Sequence, residues 1–270
     1  MRFSIVVVSL NPGEGLKNTL DSINTQSFRD FEVIVEDGGS TDGSLDVLKN
    51  YPNMRIQLFT ESDSGIYDAM NRAANRALGQ YIYFLNCGDY FYSSEVLNKV
   101  SQAIDTASQS FANHRIIVYG NIYERRTSQK VMSNPVIDGF ACFRNVPCHQ
   151  ACFYDKKLVE EHPFDITYKV RADYEQFLWC YYKASASMQF LDEVIADYEG
   201  GGYSETPSGL RISKEEHKKI TAIYMSSKDL IKYKTIMILT LSRLRSSLAS
   251  NPKTAVFYDK IKNRLYSKRK

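Results

Sequence analysis

Over the first 85 positions, apolar residues gather in short runs, interrupted at Ser4, Glu32 and Gln57, with little sustained alternation. Phe3 to Val8, Phe31 to Val35, Arg55 to Phe59 and Tyr81 to Leu85 read as four strands. Between them Leu16, Leu20 and Ile23 recur at helical spacing up to Gln26. A short helix follows the Gly38-Gly39-Ser40-Thr41-Asp42-Gly43 punctuation to about Leu48, and Ile66 to Leu78 is a helix of small and apolar residues. Strands without in/out alternation are buried on both faces, which predicts a parallel sheet covered by helices on both sides. Such a sheet takes its ligand at the carboxyl ends of its strands. Here those ends carry Ser9-Leu10-Asn11, Glu36-Asp37-Gly38-Gly39, Glu61-Ser62-Asp63-Ser64-Gly65 and Asn86-Cys87-Gly88-Asp89. Polar or acidic groups stand at all four, and glycines beside two of them let a ligand approach the backbone.

After Asp89 the pattern changes. One helix, about Ser94 to Ala107, precedes shorter strands at Ile116 to Asn121, Glu124 to Met132 and Ala151 to Tyr154, which predict mixed or antiparallel pairing. A helix from Asp173 to Tyr182, strands at Met188 to Leu191 and Val194 to Tyr198, and the loop Gly200-Gly201-Gly202-Tyr203-Ser204 follow. Beyond the loop the chain reads as helical. Leu230, Tyr233, Met237, Leu241, Leu244 and Leu248 form one apolar stripe, ringed by Lys228, Lys232, Lys234, Arg243 and Arg245. This tail is too polar to span a bilayer.

Composition narrows the class. The 270 residues are 43% apolar and 24% charged, an ordinary globular balance that excludes intrinsic disorder and collagen. The length suits one sizeable core, since single cores stop growing near ~250–300 residues. Five cysteines, an odd number spread thinly through a chain of this size, read as reduced thiols of a cytosolic protein. The apolar run at Ile5 to Val8 meets the polar Asn11-Pro12-Gly13-Glu14 turn too soon for a signal peptide. Net charge is +3, but residues 1–210 hold 18 Lys and Arg against 27 Asp and Glu, and residues 211–270 hold 16 against 4. An acidic body with a basic tail points to an anionic membrane surface or to nucleic acid.

The first strand is followed by no G-x-G-x-x-G, and no Walker lysine motif occurs, which argues against a dehydrogenase or a P-loop enzyme. Carboxylates where amides usually cradle phosphates make sense when a divalent cation lies between, so a metal-bridged nucleotide is the leading expectation. The segments SIVVVSLNPGE, VIVEDGGSTDGS, ESDSGIYDAMNRA and YIYFLNCGD resemble, in this order and spacing, the nucleotide-sugar half of the family-two inverting glycosyltransferases with a GT-A fold. HQACFY and ADYEQFLW resemble that family's acceptor half, nearest to enzymes of bacterial polysaccharide synthesis. The resemblance covers residues 3 to 205. It implies an α/β GT-A domain over 1–208, with a nucleotide-sugar half at 1–92 and an acceptor half at 93–208, and a basic helical extension at 209–270.

The resemblance also implies roles. Asp37 grips the nucleobase, since a carboxylate accepts the N–H groups of uracil or guanine, and Ser9, Asn11 and Glu14 line the base and ribose pocket. Asp63, Gly65, Asp68 and Asn71 border the ribose and diphosphate, although Asp63 and Asp68 equally suit the start of a helix, where acids favour the dipole. Asp89 matches the last carboxylate of the family's metal element. Asn86 and Gly88 stand where aspartates are common, which leaves one carboxylate to hold Mn²⁺ or Mg²⁺. A turn-capping Asp is the alternative for Asp89. Asp173 matches the general base that takes the acceptor's proton, with an ordinary N-cap as the alternative and Glu175 as the fallback base.

His149 and Gln150 fall near the acceptor or diphosphate, with a structural histidine as the competing reading, and Arg171 is either a phosphate contact or a surface residue. Cys148, His149 and Cys152 lack a second ligand pair at finger spacing, which argues against zinc. The glycine loop with Tyr203 suits a lid over the sugar or a plain turn. For the tail, residues 228–270 suit an anionic membrane surface, a homodimer seam or packing on the body, and no nucleic-acid recognition motif is present.

The implied activity is transfer of a sugar from a UDP-sugar, or a GDP-sugar, to a hydroxyl of a glycan or lipid-linked glycan. It would take place in the cytoplasm or peripherally at the inner face of the cytoplasmic membrane. A catalytically inactive nucleotide-sugar scaffold and a sugar-phosphate nucleotidyltransferase are the alternatives.

Overall fold

The computed structural model describes residues 1–111 and 115–240. Strands β1 (Phe3–Ser9), β2 (Phe31–Asp37), β3 (Ile56–Thr60) and β4 (Tyr81–Phe84) form a parallel block in the order β3-β2-β1-β4. Helix α1 (Glu14–Asn24) follows β1, a 3₁₀ turn (Ser44–Asn50) follows β2, and α2 (Ile66–Arg76) follows β3. Alternate residues of β1 enter opposite cores. Phe3, Ile5 and Val7 pack with Leu16, Leu20 and Ile23 of α1, while Val6 and Val8 pack with Met70, Ala73 and Ala74 of α2. Burial on both faces is why β1, β2 and β4 read as largely apolar runs, whereas β3, at the sheet edge, is only partly buried, with Leu58 42% exposed.

The second half completes a mixed sheet. Short β5 (Tyr90–Phe91) and α3 (Val96–Ser110) lead to β6 (Ile116–Glu124), β7 (Gln129–Val131), α4 (Gly139–Arg144) and β8 (Cys152–Asp155). Then come α5 (Lys156–Glu161), α6 (Ala172–Tyr182) and β9 (Ser187–Tyr198). The sheet continues β4-β8-β6-β9-β5, with β8 antiparallel to both β4 and β6, β9 parallel to β6 and antiparallel to β5, and β7 paired to β6. Two sequence expectations change here. The run Glu124 to Met132 is broken by a turn in which Ser128 has φ 53°, leaving β7 as the short return arm of a hairpin. The strands at 188–191 and 194–198 are one strand, β9, whose pairing to β6 shifts register around Asn121, so the polar Asp192-Glu193 pair marks a bulge. Helices α4 and α5 carry no sequence signal strong enough to predict them.

The tail is helical as far as it is described, in two helices, α7 (Pro207–Tyr224) and α8 (Ser227–Leu239). Thr206 caps α7 and Ser226 caps α8 through their hydroxyls. Ile220, Leu230, Tyr233 and Met237 pack with Cys142, Phe143, Tyr174 and Leu178 of α4 and α6, so this part of the apolar stripe lies on the body. Leu241, Leu244, Leu248, Arg243 and Arg245 lie outside the described residues.

At the amino end of the parallel block a buried polar knot sets the join of α2 to β4. Glu32, fully buried, accepts from Ser4 Oγ (2.7 Å), Leu78 N (2.7 Å) and Gln57 Nε2 (2.9 Å), while Ser4 Oγ accepts from Gly79 N (2.8 Å). Gly79 lies so close to β1 that a Cβ there would meet Phe3 C and Ser4 N at 2.5 Å. Gly79→Ala is expected to destabilise the fold by about 1–3 kcal/mol, the usual cost of overpacking, read as a fall in urea midpoint with an unchanged slope.

Candidate active site

Two loops at the carboxyl ends of β1 and β2 are zipped together. Buried Asp37 accepts from Ser9 Oγ (3.0 Å), Gly39 N (3.0 Å), Ser40 N (2.8 Å) and Ser40 Oγ (2.5 Å). Asn11, with φ 47°, donates its N–H to Ser40 Oγ (2.7 Å) and accepts from Thr41 N (2.9 Å). Gly13 N donates to Asp42 (2.9 Å); contacts from the Ser44 hydroxyl and this N–H hold the Asp42 carboxyl below its ordinary value. Glu14 opens α1. A carboxylate has about four acceptor sites, so Asp37 is committed to ordering its own loop, and a nucleobase reaching it must displace one of these partners.

The β3 end bends into α2 through Gly65, at φ 126°. Asp63 accepts from Gly65 N (2.8 Å), and Asp68 accepts from Ser64 N and Arg72 (both 2.9 Å). Both aspartates therefore brace the helix start. Asn71 spends its amide on the backbone N–H and C=O of Phe164 (2.9 and 2.8 Å), tying α2 to the segment before α6.

A cleft of about 370 Å³ lies at the carboxyl end of β4. Asp89, His149, Gln150, Asp173 and Tyr203, far apart in sequence, all line it, together with Asn86, Tyr67, Lys169 and Glu199. Asp89 is 4% exposed; its carboxylate accepts from Gln150 Nε2 (2.9 Å) and Glu199 N (2.8 Å). Burial raises its pKa, opposed by these two donors. Gln150 is thus Asp89's orienting partner.

Asp173, 26% exposed in its side chain, accepts from Tyr67 Oη (3.1 Å), Tyr174 N (2.8 Å) and His149 Nδ1 (3.1 Å). Three of its roughly four acceptor sites are filled, leaving one for a ligand. His149 Nε2 lies 3.3 Å from Asn86 Nδ2, so the second ring nitrogen faces the loop that follows β4. Burial pushes the Asp173 carboxyl upward, but the hydrogen bond and charge of His149, with Tyr174 N, carry it below the ordinary carboxylate value.

The fallback base faces elsewhere. Glu175 is buried against His162 Nε2 (2.9 Å) and the Tyr224 hydroxyl, with His162 stacked on Trp179. Arg171 is spent on Ser213 O and Oγ (3.1 and 2.8 Å). The cysteines are free thiols. Cys148 donates to Gln150 Oε1 (2.7 Å), and burial raises its pKa to about 12, which suits a thiol and not a metal-bound thiolate.

Sequence reasoning missed Tyr67, Glu199 and Glu216. Buried Glu216, on α7, accepts the successive N–H groups of Lys169 (2.7 Å), Val170 (3.1 Å) and Arg171 (2.9 Å). It thereby fixes the segment that leads into Asp173. No local motif marks it, because its partners lie more than 40 positions away.

No three His, Cys, Asp or Glu side chains converge among the described residues, so a divalent cation here would rest on few protein ligands. The groups present fit that demand. Asp89 has acceptor capacity left, Glu199 has a carboxylate without a hydrogen bond or ion pair among the described residues, and Asn86 Oδ1 is buried without a partner. All are hard oxygens suited to Mg²⁺ or Mn²⁺.

A mixed sheet flanked by helices, with acidic groups clustered at its strand ends, defines a GT-A-type α/β domain. The chain belongs to glycosyl transferase family 2, whose model matches residues 4–163. A "PGL/p-HBAD biosynthesis glycosyltransferase" of Mycobacterium bovis is 34% identical over 209 residues, 76% of this chain and 79% of the relative. Among solved structures, S. aureus TarS 1-349 in complex with UDP-GlcNAc superposes with TM-score 0.64 at 18% identity, covering 93% of this chain and 74% of that one. The mannosyltransferase PcManGT from Pyrobaculum calidifontis, in complex with GDP-Man and Mn²⁺, gives TM-score 0.57 at 15% identity, covering 96% and 86%. The protein is accordingly a glycosyltransferase.

Two outcomes follow from the site's geometry. Glu216→Ala leaves three backbone donors without their acceptor and is expected to cost about 2 kcal/mol or more, read by equilibrium denaturation. His149→Ala removes the main influences that lower the Asp173 carboxyl while burial still raises it. Its titration, followed by carboxyl-carbon NMR, is expected to move to higher pH than in the wild type.

Proposed function

We propose that the chain is an inverting, metal-dependent transferase. It moves a sugar from a nucleoside-diphosphate donor, UDP-linked or GDP-linked, to a hydroxyl of a glycan or lipid-linked glycan in the making of a bacterial surface polysaccharide. The observation that carries this reading is the convergence in one cleft of Asp173, with one acceptor site open, and the buried Asp89.

The nucleotide lies along the carboxyl ends of the parallel strands, with Ser9, Asn11, Glu14 and Asp37 on the base and ribose side. Asp63, Gly65, Asp68 and Asn71 shape the wall toward the diphosphate. Asp89, held by Gln150 and Glu199 N, and Asn86 would hold Mn²⁺ or Mg²⁺. When bound, the cation supplies Lewis-acid stabilisation of the charge that develops on the departing diphosphate.

Asp173 takes the proton of the acceptor hydroxyl as that oxygen bonds to the anomeric carbon. The carbon–oxygen bond to the diphosphate breaks from the opposite face, its electron pair leaves with the nucleoside diphosphate, and the configuration inverts. His149 and Tyr67 keep Asp173 aimed, and His149 also favours its ionised form. The Gly200–Gly202 loop and the 54% exposed Tyr203 close over the sugar and limit hydrolysis.

No helix among the described residues is long and apolar enough to cross a membrane. The exposed Ile231, Ile238 and Leu239 of α8, beside Lys228, Lys232 and Lys234, support contact with an anionic membrane surface carrying a lipid-linked acceptor. This fits an enzyme working at the inner face of the cytoplasmic membrane.

A second reading, a nucleotide-sugar-binding scaffold, is favoured by the absence of aspartates at positions 86 and 88. Nucleoside diphosphate release from UDP- and GDP-sugars with Mn²⁺ separates the two. The wild type is expected to release product, and Asp173→Asn to release it roughly 10²–10⁴-fold more slowly with nucleotide binding unchanged. Wild-type activity in Asp173→Asn would refute the base, and binding without release for any acceptor would favour the scaffold.

A further inference from the structure

The Asn86-Cys87-Gly88-Asp89 loop offers one carboxylate, and the space around Gly88 shows where a second comes from. Gly88 has φ 99°, and a Cβ built on it would meet Glu199 Oε2 at 2.7 Å. The volume that a side chain at position 88 would enter is therefore filled by the Glu199 carboxylate, which arrives from the far end of the sequence. We propose that Glu199 supplies the second carboxylate of a divalent-cation site whose first is Asp89, with Asn86 Oδ1 as a neutral oxygen beside them. This rests on the transferase reading above.

Three observations carry it. The position is built: Tyr90 pairs with Asp197, bringing the end of β9 alongside Asp89, and Glu199 N donates to Asp89 Oδ1 at 2.8 Å. Arg125 clamps the same corner, giving Nε to Asp197 Oδ1 (2.5 Å) and a terminal nitrogen to Gly88 O (2.6 Å). The carboxylate is free: the two neighbouring arginines are committed, Arg125 to Asp197 and Arg126 to Glu205 (3.0 Å), and the Glu199 side chain makes no hydrogen bond or ion pair among the described residues. Finally, Asn86 Oδ1 is buried with no partner, which costs free energy unless something electropositive reaches it. Two nearby carboxylates repel each other, and a divalent cation turns that repulsion into coordination. Few protein oxygens, completed by phosphate oxygens and water, match the way Mg²⁺ and Mn²⁺ bind at nucleotide sites.

Glu199→Gln tests the assignment because it preserves size, exposure and the backbone N–H that Asp89 uses. Mn²⁺ binding to the full-length protein is measured by loss of the free-Mn²⁺ EPR signal and by calorimetry, with UDP and with GDP. Glu193→Gln, an acid paired with Lys99 away from the cleft, serves as the control.

The expected result is at least about tenfold weaker Mn²⁺ binding in Glu199→Gln, the scale of loss on disturbing a metal's ligand shells. Nucleotide binding in EDTA and thermal midpoint should be unchanged, and Glu193→Gln should match wild type. Wild-type Mn²⁺ affinity in Glu199→Gln, with nucleotide still bound, would overturn the role of Glu199 and leave the transferase reading standing. Failure of the wild type to bind either nucleotide with Mn²⁺ would overturn that reading and the assignment together.

Discussion

The cleft depends on one reversal in the sheet. Strand β4 runs parallel to β1 on one side and antiparallel to β8 on the other. Because β8 runs the opposite way, its beginning lies beside the end of β4, and the residues just before β8 meet the residues just after β4. Gln150 therefore reaches Asp89, and His149 reaches Asn86. A fifth parallel strand in that place would have put β8's far end there. The antiparallel pairing of β9 with β5 repeats the device and brings Glu199 onto Gly88.

Around that junction the protein holds carboxylates that are buried or half-buried. Each of them is kept useful by donors in a fixed arrangement. Asp37 and Asp89 are nearly enclosed yet hydrogen-bonded at both oxygens. Asp173 is kept ionised by His149 and the Tyr174 N–H, is bonded also by Tyr67, and retains one open site. Preorganised donors of this sort cost nothing to reorient when a reaction begins. The same logic extends outward through Glu216, whose clasp on three successive N–H groups makes α7 part of the scaffold that sets Asp173.

Membership of glycosyl transferase family 2 accounts for the shared sheet, and the departures within it describe this chain in particular. The loop after β4 carries Asn86 and Gly88 beside its one carboxylate, Asp89, and Glu199, just beyond β9, lies against Gly88. The tail is divided in function: Ile220, Leu230, Tyr233 and Met237 seal it to α4 and α6, while Ile231, Ile238 and Leu239 face outward beside lysines. One helix, α8, thus serves the core on one side and offers an apolar, basic surface on the other.

The amino-acid sequence by itself determined the parallel block, because residues buried on both faces must be continuously apolar, and with it the four strand ends where polar groups gather. It also singled out Asp89, His149, Gln150, Asp173 and Tyr203, which the fold gathers into one cleft. Local periodicity failed where structure was short or bent: the hairpin at Ser128, the bulge at Asp192-Glu193, and the six-residue helices α4 and α5. Only the tertiary structure decided which carboxylates are spent and which are open. Asp37 and Asp63 brace their own loops, Asn71 clasps Phe164, Glu175 turns to His162, Glu199 lines the cleft from just beyond β9, and Glu216 on α7 holds the segment before Asp173. The reason is physical: strand and helix propensities are written in neighbouring residues, whereas the partner of a buried charge is set by pairing direction and packing across the whole sheet.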